Sequence, residues 1–197
     1  ECAVLLQNKG ALPLARAAKV AYIGGFAEKP RYQGGGSSHI TVSEELSALE
    51  AVRSVCPVTY APAFSLEEDV VDEALQAEAV EAAKAADVAV LFLGLPEFIE
   101  SEGFDRKDMA LPRCQLELVK RILQVQKNVA VVLHNGVPVE LPFADDVPAI
   151  LEAYLAGQAG GGAVVDLLFG AVSPCGKLAE TFPLRLEDTP AYLNFPG

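Results

Sequence analysis

The chain has 197 residues, 51% of them apolar, and carries 27 acidic against 15 basic side chains for a formal net charge of −12. That is enough length and apolarity to bury one sizeable core. The charge balance argues against a nucleic-acid footprint, which needs clustered Lys and Arg, and no apolar run of about eighteen residues is present to span a bilayer.

The first residue is Glu1, with no charged leader and apolar stretch behind it. The chain therefore reads as an excerpt of something longer or processed. Cys2, Cys56, Cys114 and Cys175 lie far apart, and no pair has C-x-x-C spacing. Buried free thiols are expected, suiting a reducing, cytoplasmic compartment, with one long-range disulfide left open. No metal site or cofactor is expected.

Taken in order, residues 2–8 form a short apolar arm that docks on the domain. Residues 19–23 are a first strand, closed by Gly24 and Gly25. A long loop over 26–39 holds Arg31-Tyr-Gln-Gly-Gly-Gly-Ser-Ser38. Loops of this length are usually functional or disordered. Thr41-Val-Ser-Glu44 offers a capping box for a helix through Leu46, Leu49 and Val52. Residues 57–60 are a second strand, 67–86 a long alanine-rich helix with an acidic outer face, and 87–93 a third strand. Residues 112–126 form an amphipathic helix and 129–133 a fourth strand, apolar throughout as a strand buried on both faces should be. A fifth strand spans 149–155. The glycine run through Gly160, Gly161 and Gly162 opens a helix over 163–169, and a last short strand over 177–182 returns along one edge. Strands and helices alternate, so an α/β sheet that is mostly parallel, with helices on both faces, is expected.

The third strand feeds Leu95-Pro-Glu-Phe-Ile-Glu-Ser-Glu-Gly-Phe-Asp-Arg106. In open parallel sheets ligands bind beyond the carboxyl ends of the strands. A solvated polar loop would explain the charges. Glu102, between Ser101 and Gly103 and beside Phe104, nevertheless suggests a proton donor. Dinucleotide chemistry is disfavoured because Gly24-Gly25 continues as Phe-Ala-Glu-Lys and breaks the G-x-G-x-x-G spacing. Ser37 and Ser38 lack the second glycine of a nucleophile elbow. His39 suits a loop or subsite role, and His134 a satisfied core or rim position. Carboxylate chemistry remains. Glycoside hydrolysis requires two carboxyl groups, about 5–5.5 Å apart when configuration is retained. Glu97, Glu100 and Asp105 share the loop of Glu102 and cannot readily face it across a sugar. Half a site is present.

The motifs above, with Ala3-Val-Leu-Leu-Gln-Asn-Lys-Gly-Ala-Leu-Pro-Leu14, Met109-Ala-Leu-Pro112, Ala156-Gly-Gln-Ala-Gly-Gly-Gly162 and Ser173-Pro-Cys-Gly-Lys-Leu178 before Thr181-Phe-Pro183, resemble over nearly the whole length the second domain of family 3 glycoside hydrolases, the β-glucosidase family. The resemblance implies a three-layer α/β sandwich whose six-stranded sheet is mostly parallel with one antiparallel strand, occupying residues 1–197 as a single domain. It implies a parent enzyme that is a retaining, exo-acting β-glycosidase acting on terminal β-D-glucosyl residues. A preceding barrel domain would carry the nucleophilic aspartate, and Glu102 would be the acid/base, with Glu100 as runner-up. Arg31, Tyr32, Gln33, Ser37, Ser38 and Phe104 would border the substrate, and Asp105 with Arg106 would be a loop-ordering ion pair. The isolated domain would be inactive. A non-catalytic sugar- or partner-binding domain is the alternative, and nucleotide binding rests on fold analogy alone.

Overall fold

The computed structural model describes residues 1–194. Six strands form one sheet: β1 (Val4–Asn8), β2 (Val20–Ile23), β3 (Val58–Ala61), β4 (Val88–Gly94), β5 (Val129–His134) and β6 (Ala149–Glu152). Their spatial order is β1-β6-β5-β4-β2-β3. All neighbours run parallel except β1, which pairs antiparallel with β6. Every residue of β4 and β5 is buried, as their unbroken apolar runs require for central strands covered on both faces. Each large side chain so buried contributes about 1.5–3 kcal/mol.

Four α-helices are found among the described residues: α1 (Ala48–Val52), α2 (Glu73–Ala85), α3 (Arg113–Val125) and α4 (Gly160–Leu168). Helix α1 packs with α4, and α2 with α3. The connection β2-α1-β3 steps one way along the sheet and β3-α2-β4 steps back past β2. Right-handed crossovers in opposite directions put α1 and α2 on opposite faces. The result is the expected three layers, and the reversal falls between β2 and β4.

Several local expectations are corrected. The antiparallel edge is formed by the N-terminal arm, not by residues 177–182, which are irregular. The antiparallel place beside β6 is held by Val4–Asn8. The capping box is Ser47 with Glu50, not Thr41 with Glu44. Both pairs have the same spacing. The second is selected because the backbone from Leu46 to Ala48 lies directly on Gly161 of α4, where a side chain would collide with it. Hence the glycine run forms the first turn of α4, and packing against α1 accounts for it.

Helix α2 starts six residues later than expected, capped by Asp72, whose carboxylate accepts from the amides of Ala74 and Leu75 at 2.9 and 3.0 Å. Asp69 instead turns onto the N-terminus of α3, accepting from Arg113 and Cys114 at 2.9 and 2.8 Å. Strand β6 stops at Glu152, two residues before Tyr154 takes a positive φ of 55°. Of the four free cysteines, Cys56 and Cys114 are buried as expected, whereas Cys2 and Cys175 are exposed.

Candidate functional site at the carboxyl edge of the sheet

The loops that leave β2, β4, β5 and β6 emerge on one edge, and the glutamate-bearing loop lies over the point where the strand order reverses. Open α/β sheets bind ligands in the crevice at such a point. The loop is launched at Gly94, whose N–H and C=O are both bonded by the side-chain amide of Gln115 at 2.9 Å.

Glu102 is exposed on the loop after β4. Its Oε2 accepts from the backbone N–H of Ser37 at 2.6 Å, which ties it to the loop from β2. The triple glycine explains how the loops come so close. A Cβ on Gly36 would lie 2.6 Å from the Cβ of Glu102, and one on Gly35 would lie 2.5 Å from the hydroxyl of Ser101 and 2.8 Å from Cγ of Glu97. Gly36 also has a φ of +80°, a conformation that side-chain-bearing residues rarely adopt. Ser37, through its hydroxyl and its amide, holds the Glu102 carboxyl below the usual carboxylate range.

Glu100 has a different setting. Its carboxylate pairs with Arg31 at 3.2 Å and accepts from the backbone N–H of Gly136 at 3.0 and 3.1 Å. Arg31 is only 8% exposed. Its guanidinium donates to the backbone carbonyls of Leu95 and Glu100. Three loops, from β2, β4 and β5, are thereby joined at one ion pair.

The other expected substrate contacts are placed as follows. Tyr32 and Gln33 close their own loop: the Tyr32 hydroxyl donates to the carbonyl of Ile40 at 3.3 Å, and the Gln33 side chain both donates to Ile40 at 3.1 Å and accepts from it at 2.9 Å. The Ser38 hydroxyl donates to the carbonyl of Gly35 at 3.3 Å. Phe104 is 58% exposed, so it does not bury Glu102 in this chain. Among the described residues Asp105 and Arg106 form no ion pair; Arg106 instead donates to the carbonyls of Pro138 and Ala110, both at 3.3 Å.

Beneath this rim lies a polar cluster that periodicity alone did not single out. Glu152, fully buried at the end of β6, accepts from the side chain of Asn135 at 3.0 Å and the amide of Tyr154 at 2.8 Å. Burial pushes its carboxyl up to about 8, and the nearby charge of Glu100 acts in the same direction. Among the described residues neither ring nitrogen of His134 makes a well-formed hydrogen bond, and only the backbone of Tyr154 is near enough to act on the ring. Its ring stacks on Phe92 at 6.1 Å. Burial pushes its pKa down to about 4, so it is neutral at ordinary pH. The expectation of a buried histidine holds, but that of a satisfied one does not. The legible signal for Glu152 was an acid inside an otherwise apolar strand.

The profile of the glycosyl hydrolase family 3 C-terminal domain matches residues 3–196. The chain is 50% identical over 202 residues to the thermostable beta-glucosidase B of Acetivibrio thermocellus, covering all of this chain and 27% of that protein. It is 48% identical over 200 residues to an exo-alpha-(1->6)-L-arabinopyranosidase of Bifidobacterium longum, covering 99% of this chain and 26% of that protein. The crystal structure of a family 3 beta-glucosidase from Bifidobacterium adolescentis superposes with a TM-score of 0.94 at 50% identity, over 99% of this chain and 29% of that one. The chain thus spans about a quarter of the length of the curated relatives it matches. It belongs to the glycosyl hydrolase family 3 C-terminal domain family.

Proposed function

We propose that this chain is the acid/base-bearing domain of a retaining, exo-acting β-glycosidase and that Glu102 is its acid/base. The observation that carries this reading is the setting of Glu102: an exposed carboxyl at the strand-order reversal, held by Ser37 and free of any cationic partner among the described residues. Glu100, the runner-up, is already committed to Arg31 and Gly136. In the first step Glu102 protonates the departing glycosidic oxygen while an aspartate from a neighbouring barrel domain attacks the anomeric carbon. In the second it takes a proton from the water that releases the glycosyl-enzyme.

A general acid active near neutrality needs a raised pKa. Ser37 has the opposite effect in this chain. The neighbouring domain therefore has to dehydrate Glu102 when it covers this edge. Terminal β-D-glucosyl units are the first substrates to test. The two relatives named above are almost equally similar to this chain but carry different sugar names. The sugar is accordingly assigned to residues contributed by the barrel.

Glu102→Gly in the full-length enzyme tests the assignment. The expected result is a loss of about 10²–10⁴-fold for glucosides with poor leaving groups, a smaller loss for dinitrophenyl glucoside, and recovery with azide accompanied by glycosyl azide. A domain that only binds sugar predicts a change in KM alone and no azide product.

A further inference from the structure

We propose that Arg31 and Glu100 are positioning residues: a buried clamp that fixes the aim of Glu102 and does not touch the sugar. The proposal rests on the acid/base reading of Glu102 and deepens it. Arg31 holds the glutamate loop at two places, bonding the carbonyls of Leu95, at the loop's root, and of Glu100, two residues before Glu102. The Glu100 side chain is fixed independently, by the guanidinium at 3.2 Å and by the amide of Gly136 at 3.0 and 3.1 Å. Both the main chain and the side chain of residue 100 are therefore immobilised against loops from β2 and β5. From there to Glu102 the chain has only Ser101 in which to drift, and the Ser37 amide closes the far end.

The clamp also governs charge. Arg31 is the last cation before the glycine run in sequence, and its positive charge is engaged by Glu100 inside the protein. A guanidinium released from that pair could swing toward Glu102. An opposite charge within reach would favour its ionised form and weaken it as an acid. A buried ion pair often stabilises no more than apolar residues of like volume. The charged pair here is better explained by placement: Arg supplies a planar fork whose two terminal nitrogens reach the two carbonyls and the carboxylate, whereas the donors of Lys radiate from a single atom.

The test uses the full-length enzyme with a leaving-group series from dinitrophenyl to alkyl glucosides. Glu100→Gln is the principal variant, because the amide preserves shape and can still accept from Gly136. Arg31→Lys is the second. The expected result for both is a loss of about tenfold or more in kcat/KM on alkyl glucosides, little change on dinitrophenyl glucoside, and no azide rescue. Glu100→Gln should also move the alkaline limb of the kcat/KM profile to lower pH. Equal losses across the series, tracking a fall in Tm, would reduce the clamp to a structural role and overturn the proposal. Azide rescue of Glu100→Gln would overturn it differently, by making Glu100 the reagent. Glu102→Gly, run on the same substrates, separates the two readings. If that variant lacks the leaving-group dependence, the acid/base assignment fails. If it shows the dependence and Glu100→Gln does not, only the clamp fails.

Discussion

A carboxyl group facing water is ionised at neutral pH, and a hydroxyl and an amide aimed at it keep it so. That is the state of Glu102 in this chain. What the sequence provides for Glu102 is proximity: Gly35 and Gly36 do without side chains so that the glutamate loop can lie against the loop from β2. Gly36→Ala should therefore do two kinds of damage. At a φ of +80° an alanine is strained by about 1 kcal/mol, and its methyl group meets Cβ of Glu102. Gly157 offers a control, because it has a similar φ of +75° but nothing within 4 Å of where a methyl group would stand. The expected outcome is a small drop in Tm for Gly157→Ala and a larger one for Gly36→Ala, whose methyl group also has to displace Glu102. Only Gly36→Ala should lower kcat/KM on alkyl glucosides in the full-length enzyme. Equal kinetics for the two would mean that the contact with Glu102 is incidental.

The ends of β5 and β6 carry a different kind of tension, because each buries a titratable side chain that no opposite charge among the described residues neutralises. For Glu152 the pKa rises from 4.5 in the ordinary case to about 8 in the fold. Between those values the unfolded chain has lost a proton that the folded chain keeps. Stability from this group is thus full below about pH 4.5 and is lost as pH rises to about 8, with a slope of at most about 1.4 kcal/mol per pH unit. His134 works in the other sense. Its pKa falls from 6.5 to about 4, so its contribution is full above about pH 6.5 and is lost as pH falls toward 4. The two slopes oppose each other where the windows overlap and separate outside it. Glu152→Gln should flatten the decline of Tm between about pH 6.5 and 8, leave the rise due to His134 unopposed between about pH 4.5 and 6.5, and change nothing below about pH 4.5. A wild-type Tm that is level across that interval would show that Glu152 is already ionised in the folded protein. The same two strands show what the sequence could reveal at this scale. The unbroken apolar runs of β4 and β5 made them legible as central strands, and the amphipathic spacing of α3 bounded it to within a residue at either end. The antiparallel edge, the choice between two capping boxes and the start of α2 were decided by which segment docked where, and local pattern carries no record of that.

At the scale of the whole molecule the legible part was the loop and the hidden part was its wiring. Glu102 stood out through its neighbours Ser101 and Gly103, and the glycine run was visible as a place of close approach. That Arg31 belongs to the loop's foundation could not be read, because its partners Leu95 and Glu100 lie more than sixty positions away in sequence. The fold then imposes a division of labour. The exposed carboxyls of this edge, Glu97, Glu102 and Asp105, all sit on one loop, while Glu100 is paired with Arg31 and Glu152 is buried beneath. A retaining mechanism requires a second carboxyl group about 5–5.5 Å away on the far side of the sugar, and the proposed source is a neighbouring barrel. Purified alone, the chain should melt cooperatively, since its core is continuous across the sheet. It should nonetheless give no turnover of p-nitrophenyl glucoside above background. Adding azide should not change that, because on the proposed two-domain reading the group supplied from elsewhere is the nucleophile and not the acid. Turnover by the 197-residue chain that disappears in Glu102→Gln would place both carboxyl groups within this domain and end the two-domain account.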